Sequence, residues 1–447
     1  RIAALEKAVA ELKSGGGAAA DPSTIRVYWD KGIKLKSNDG TFVANIGGRL
    51  QWDMYFATLD DKMKQFIGDT AAASAVPWSG QMDQTKFRRA RFEMGGSAYD
   101  RFLFKLEIDF AGGAVQIRDA FMGVDKIMLG ESSNKFLVGS FKEPTMMEEL
   151  TSDLHLTFLE RSMINVFAPD YSTGFGFFGS GVKDDSKADR MTWALCFVRD
   201  VGGSGDDTGS LKSGKYNFSL RVTGLPYYEN KGEQLIHIGG WFSQRNPNNF
   251  GAFALGQAPQ VQTYAQRPDT SFGATLVTTG ARPTDSITMY GVELAGVFSQ
   301  FWFHGEYAGV NMAKSKRAGN KAASVGGYFV QAGFFLTGEK RSYKNSTGTW
   351  DRISPKQNAF STDKDGNVGL GAIELAARYD FLSLEDTHAL LFGGKLSTIT
   401  VGANWYLAPN FRFMLDYINV QLDKKNASGP KSKGSENILT TRFQCDW

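Results

Sequence analysis

Gly174, Gly176 and Gly179 form a G-x-G-x-x-G pattern, the spacing with which a strand followed by a helix cradles a dinucleotide pyrophosphate. The positions between them are phenylalanines, as in GFGFFG. Those suit a membrane strand, and the match is read as chance. Asp363, Asp365 and Gly366 copy part of a calcium loop, but the spacing is wrong for an EF-hand, so a turn is expected. His155 and His304 have no second ligand at helical or hairpin spacing and read as polar residues rather than as metal ligands. Cys196 and Cys445 lie far apart in predicted strands and read as small apolar filler; a disulfide would need the strands to bring them within reach. No G-x-S-x-G pattern and no ligand cluster occurs. The expectation is no catalytic residue, no metal, no cofactor and no enzyme.

The remaining chemistry lies in charges that recur at every second position. In Thr41–Phe56, Arg49, Gln51 and Asp53 share one parity, and Leu50, Trp52, Met54 and Phe56 share the other. Phe102, Phe104, Leu106, Ile108 and Phe110 oppose Lys105, Glu107 and Asp109. The same split runs through Ile373–Phe381 and Phe411–Tyr417. A period of two is that of a strand with one wet and one apolar face. Faces so rich in Phe would need a second sheet to cover them in a soluble sandwich, whereas in a barrel they meet lipid. By this parity Arg49, Arg89, Arg91, Lys105, Arg118, Arg378, Arg412 and Arg442 face a lumen. Against them stand Asp53, Glu93, Glu107, Asp109, Glu306, Glu374, Asp380 and Asp416. The wall therefore cancels, and strong selectivity by sign does not follow.

These charges must be positioned by long strands. The pattern predicts sixteen, at 41–57, 85–98, 102–111, 115–125, 135–141, 174–182, 189–199, 215–224, 234–245, 287–298, 301–313, 324–337, 368–382, 396–407, 411–422 and 437–447. An even count suits a single-chain barrel. Short turns at 98–101, 299–300 and 408–410 then fall on the periplasmic side, and the long connections 58–84, 142–173 and 246–286 on the outer side. The segment 338–367 breaks this rule. The last strand carries Phe443 and Trp447 on its apolar parity, similar to the terminal strand that outer-membrane assembly machinery reads. The composition agrees: 51 Gly, 12 Pro and 13% aromatic residues suit strands, tight turns and aromatic belts. No stretch approaches the ~18 apolar residues of a membrane helix. With 50 basic and 47 acidic residues and no basic stripe, nucleic acid is excluded as a partner.

Residues 1–14 differ. Ile2, Leu5, Val9 and Leu12 fall at a and d of a heptad, which predicts a short periplasmic α-helix, a coiled-coil stub that oligomerises because one such helix alone is marginal. Residues 15–40 read as a linker, and 41–447 as the transmembrane barrel with loop 142–173 folded inward.

Several blocks resemble the phosphate-selective porin O/P family: FRRARFEMGGSAY at 87–99, LER at 159–161, GYFVQAGFFLTGEKRSY at 327–343, GAIELAARY at 371–379 and TVGANWYLAPN at 400–410. The resemblance implies an all-β, sixteen-stranded antiparallel barrel that assembles as a homotrimer, with loops and a long periplasmic segment narrowing each lumen. It puts arginines at Arg49, Arg88, Arg89 and Arg161, and two lysines near Lys314 and Lys321. Two departures stand out. Glu149, within MMEELTSD, occupies the place of the family's constriction lysine, and 246–286 offers only Arg267 and Arg282 where the family has closely spaced arginines. Arg161 and Glu160 could pin the loop to the wall or serve the constriction.

The expected function is passive diffusion of small hydrophilic solutes and ions, phosphate and other anions among them. The expected constriction comprises Arg49, Arg88, Arg89, Arg91, Lys105, Arg118, Glu149, Asp153, Arg161, Lys314, Lys321 and Arg378. Outer-membrane lipid is the expected partner. The alternative is a structural barrel that tethers the outer membrane to another envelope layer through its N-terminal helix.

Overall fold

The computed structural model describes residues 24–30, 32–73, 83–130, 132–183, 188–200, 216–247, 249–250, 260–424 and 432–447. The helix expected at 1–14, with Ile2, Leu5, Val9 and Leu12, lies outside the described residues.

Sixteen long strands form the wall: β1 (Phe42–Leu59), β2 (Asp83–Ala98), β3 (Phe102–Asp109), β4 (Gln116–Leu129), β5 (Ser132–Lys142), β6 (Tyr171–Lys183), β7 (Asp189–Asp200) and β8 (Asn217–Glu229), then β9 (Gln234–Arg245), β10 (Ile287–Phe298), β11 (Phe301–Met312), β12 (Ala323–Phe335), β13 (Ala372–Asp386), β14 (Leu391–Ala408), β15 (Phe411–Lys424) and β16 (Ser432–Asp446). Each pairs antiparallel with the next, and β16 returns to β1 in the register Leu50↔Cys445 and Phe56↔Leu439. Closure leaves no edge, so every strand's backbone groups are satisfied within the wall. The seam is tight. A Cβ on Gly48 would lie 2.5 Å from the Trp447 ring, while the two backbones exchange N–H···O bonds of 3.2 Å. Val292, Val330, Ile399, Phe411 and Phe443 lie exposed on the outer face, as a lipid-facing band requires.

Two departures from strict alternation shape the lumen. The β1–β2 register slips between Gln51 and Trp52, where Arg89 and Phe87 are the partners and Arg88 is the extra residue. This bulge lets Arg88 and Arg89 both reach inward while Phe87 stays exposed. A second slip, opposite Leu106–Ile108, turns Arg118 and Asp119 inward together, toward Asp170 and Lys105. The inner wall is also less polar than alternation implies. Met289, Ala308, Val310, Met312, Val325 and Phe329, on β10–β12, are buried there against inserted loop residues.

Within the span read as a linker, Ile25–Trp29 and Ile33–Ser37 form a β-hairpin whose second strand pairs with the start of β1. The connection after β1 contains a helix, α1 (Asp61–Ala73). Its start is set by Asp60, whose carboxylate accepts from the Met63 N–H at 2.7 Å. The long segment after β12 carries a small hairpin, Tyr343–Lys344 with Thr349–Trp350. It enters the barrel from the short-turn end: Trp350 packs edge-on to Trp302 and His304 at 5.8 Å, and Arg221 on β8 donates to Thr347 O at 3.0 Å and Gly348 O at 2.7 Å.

Candidate pore constriction

The loop between β5 and β6 folds inward because its apolar residues have nowhere else to go. Met146, Met147, Phe158, Leu159, Met163, Ile164 and Phe167 are all buried, wedged against β10–β15. Burying a loop is costly unless its backbone groups find partners, and the wall supplies them. Glu306 accepts from Glu148 N at 2.7 Å, Asp416 from Leu159 N at 2.8 Å and Asp380 from Met163 N at 2.5 Å. Arg412 donates to Leu156 O and Thr157 O, and Arg442 to Leu159 O. Several wall charges expected to face solvent therefore hold the loop instead.

The loop presents its own carboxylates to the arginines of β1 and β2. Asp153 takes Arg49 at 2.6 Å, Arg89 at 2.8 Å and Arg91 at 3.1 Å. Burial works against its charge, but these guanidiniums hold the Asp153 carboxyl well below the usual range. Arg91 also reaches Glu107 and Asp109 at 2.7 and 2.8 Å. Glu160 bridges Arg88 at 2.8 Å and Arg442 at 2.9 Å; burial again opposes ionisation, and Arg88, Arg89 and Arg442 outweigh it. Glu149 lies between Lys142 (2.8 Å) and Arg161 (3.3 Å). Against burial, Arg161 and Lys142 keep its carboxyl below the usual range. Arg161 additionally donates to Glu148 O, Glu149 O and Thr151 O, so the residue that pins the loop also lines the lumen.

These groups surround a polar cavity of about 350 Å³ on the long-loop side of the constriction. Of the expected constriction residues, Arg88, Arg89, Arg91, Arg118, Glu149, Asp153 and Arg161 line it. Arg49 and Lys105 are engaged in the adjoining ladder, Lys105 with Glu107 and Asp119 at 3.0 and 2.7 Å. Arg378 is buried between two inserted loops, paired with Asp269 at 3.1 Å and Glu148 at 3.6 Å. Lys314 and Lys321 do not reach the cavity. Both are exposed on the short 313–322 loop, which Asn320 pins outward through bonds to Ser315 N and Pro283 O. Residues 269–272 of the preceding connection enter in their stead: Asp269 meets Arg378, and Phe272 stacks on Tyr55 at 5.2 Å. Sequence reasoning missed Asp269 because its loop carries no periodic pattern. It also missed the pairing of Arg221 with Glu293 (2.7 Å); those two stand on lumen parity and were legible. Among the described residues no cluster of three or more His, Cys, Asp or Glu is placed to hold a metal.

A closed sixteen-strand antiparallel barrel with an inward loop and an interior ladder of charge is the architecture of a porin. The family model for phosphate-selective porin O and P matches residues 45–447, and the chain belongs to that family. Porin O of Pseudomonas aeruginosa is 23% identical over 439 residues, covering 94% of this chain and 92% of its own length. Among solved structures, OmpT of Vibrio cholerae is similar with a TM-score of 0.51 at 12% identity, covering 91% of this chain and 98% of that one. The anion-selective porin of Comamonas acidovorans has a TM-score of 0.51 at 10% identity, covering 90% and 99%. The likeness to these structures is one of fold. The chain is an outer-membrane channel for solutes.

Proposed function

We propose that this channel passes small hydrophilic solutes passively with a modest preference for anions, inorganic phosphate included, and without a strong dedicated phosphate site. One observation carries the reading. The cavity at the constriction is lined by six basic residues, Arg88, Arg89, Arg91, Arg118, Lys142 and Arg161, against four acidic ones, Glu149, Asp153, Glu160 and Asp170. The surplus of positive charge attracts anions, but most cations there are already paired, so the field on a passing ion is mild. The short-turn end is assigned to the periplasm and the long-loop end to the outside. The homotrimer follows from the family resemblance, with residues 1–14 at its axis. Phe443, tilted against Phe413 with ring centres 4.9 Å apart, and Trp447 are assigned to recognition by the assembly machinery. The tethering alternative draws no support from the described residues.

Reconstitution in planar bilayers under a salt gradient tests this. The expected reversal potential is weakly anion-directed, with partial block of chloride current by phosphate. A cation-directed potential sinks the reading; complete block by low phosphate would instead indicate a dedicated site.

A further inference from the structure

On the short-turn side of the inward loop lies a second cavity, of about 280 Å³, with a different chemistry. Pro144, Leu150, Phe178 and Trp350 contribute apolar surface, and Lys135, Arg221 and Lys344 are its cations. Arg221 is already neutralised by two bonds to Glu293, at 2.8 and 2.7 Å. Lys135 and Lys344 are not: among the described residues neither has an ion-pair partner within 4 Å. The Lys135 ammonium sits 5.3 Å from the Phe178 ring centre, and Phe178 is braced edge-on by Phe141 at 5.7 Å. Asp351 is the single carboxylate of the lining, held toward His155 at 3.8 Å. In the cavity above, cations are met by protein carboxylates; here two ammonium groups and an aromatic face await a partner that supplies both complements.

We propose that this cavity is a binding subsite for small organic carboxylates with a flat apolar body, such as aryl carboxylates. The carboxylate lies between Lys135 and Lys344, and the body lies on Phe178 and Leu150. A pocket largely apolar with a few placed polar groups is the general form of a small-molecule site. Inorganic phosphate would satisfy the lysines but leave the apolar surface to water, so the apolar surface beside the two charges discriminates in favour of an amphipathic anion. The proposal deepens the reading of the chain as a solute channel and rests on it.

The test titrates benzoate, acetate and inorganic phosphate onto the detergent-solubilised protein by ligand-observed NMR, with chloride conductance measured in parallel. Benzoate is expected to bind about tenfold tighter than acetate, from burial of its ring. Lys344→Gln keeps the length of an exposed side chain on the inserted hairpin and is expected to weaken benzoate about tenfold through loss of one charged contact. Phe178→Ala is expected to bring benzoate down to the level of acetate. Equal binding of benzoate and acetate, tighter binding of phosphate, or indifference to Lys344→Gln overturns the subsite and leaves the channel reading standing. Benzoate binding that follows this pattern in a protein without chloride conductance upholds the subsite and overturns the channel.

Discussion

Glu149→Gln isolates the acidic residue that stands where the family resemblance places a lysine. The side chain keeps its size and can still accept from Lys142 and Arg161, which lie 2.8 and 3.3 Å from the carboxylate, so the loop should stay in place. Because those two cations outweigh burial and hold the carboxyl ionised, the substitution removes a full negative charge at ordinary assay pH. An ion in the cavity passes at roughly 6 Å, where one unit charge in water-like surroundings is worth about 0.7 kcal/mol. The change is opposite for anion and cation, so their relative barrier shifts by about 1.4 kcal/mol, about tenfold in permeability ratio. Screening at 0.1 M salt, with a Debye length of about 10 Å, trims this to about fourfold. The assay is the reversal potential of single reconstituted channels in potassium chloride under a salt gradient, compared at low and high ionic strength. An unchanged ratio with unaltered conductance refutes the reasoning, because Glu149 would then not face the ion path. A ratio that rises equally at both ionic strengths also refutes it, since the effect would be structural rather than electrostatic.

Asp153→Asn leaves three arginines without their shared carboxylate. Breaking a buried ion network of this kind costs about 3–5 kcal/mol, read as lower thermal stability of the folded barrel and noisier open-channel current. Asp153, Glu149 and Glu160 all have carboxyls held below the usual range. Their stabilisation is present above the unfolded value near about 4 and is lost only as pH falls through the lower folded values. Loop attachment, followed by protease protection of 143–170, should therefore persist to about pH 4. Asp170 moves the other way, raised by burial and by Glu149. As pH falls it takes up a proton before the other three, so anion preference should rise in mild acid, and Asp170→Asn should abolish that rise. Replacing 343–350 with a short Gly–Ser link removes the hairpin that Arg221 and Trp302 hold in the lumen; conductance should increase severalfold, and unchanged conductance would place the ion path elsewhere.

The barrel was legible because a strand between lipid and lumen writes its environment into every second residue. β9 and β10 begin and end where the periodicity places them, and all sixteen expected strands are present. The inward parity of Arg49, Arg89, Arg91, Arg378, Arg412 and Arg442 holds, each being buried inside. Arg88 shows where parity stops: only a bulge lets it share the lumen with Arg89, and an inserted residue leaves no mark in an alternating pattern. The hairpin at 25–37 went unread because its first strand is exposed and its second only half-buried, too little burial to constrain their pattern.

What the sequence determined by itself was the wall, its strand count, its two faces and the family. Which wall charges line a path and which anchor a loop was decided by tertiary structure. Asp380 and Asp416 look like Glu107 and Asp109 in sequence. Yet the first two accept backbone N–H groups of the inserted loop, and the last two bind Arg91. The difference arises from where Met163 and Leu159 come to rest across the barrel, a contact more than two hundred residues away in the chain. Lys314 and Lys321 illustrate the converse: present at the expected positions, they stand outside because Asn320 holds their loop away, while residues 269–272 fill the lumen. A barrel strand is set by its local solvent; a constriction is set by which loops fill the space the strands enclose.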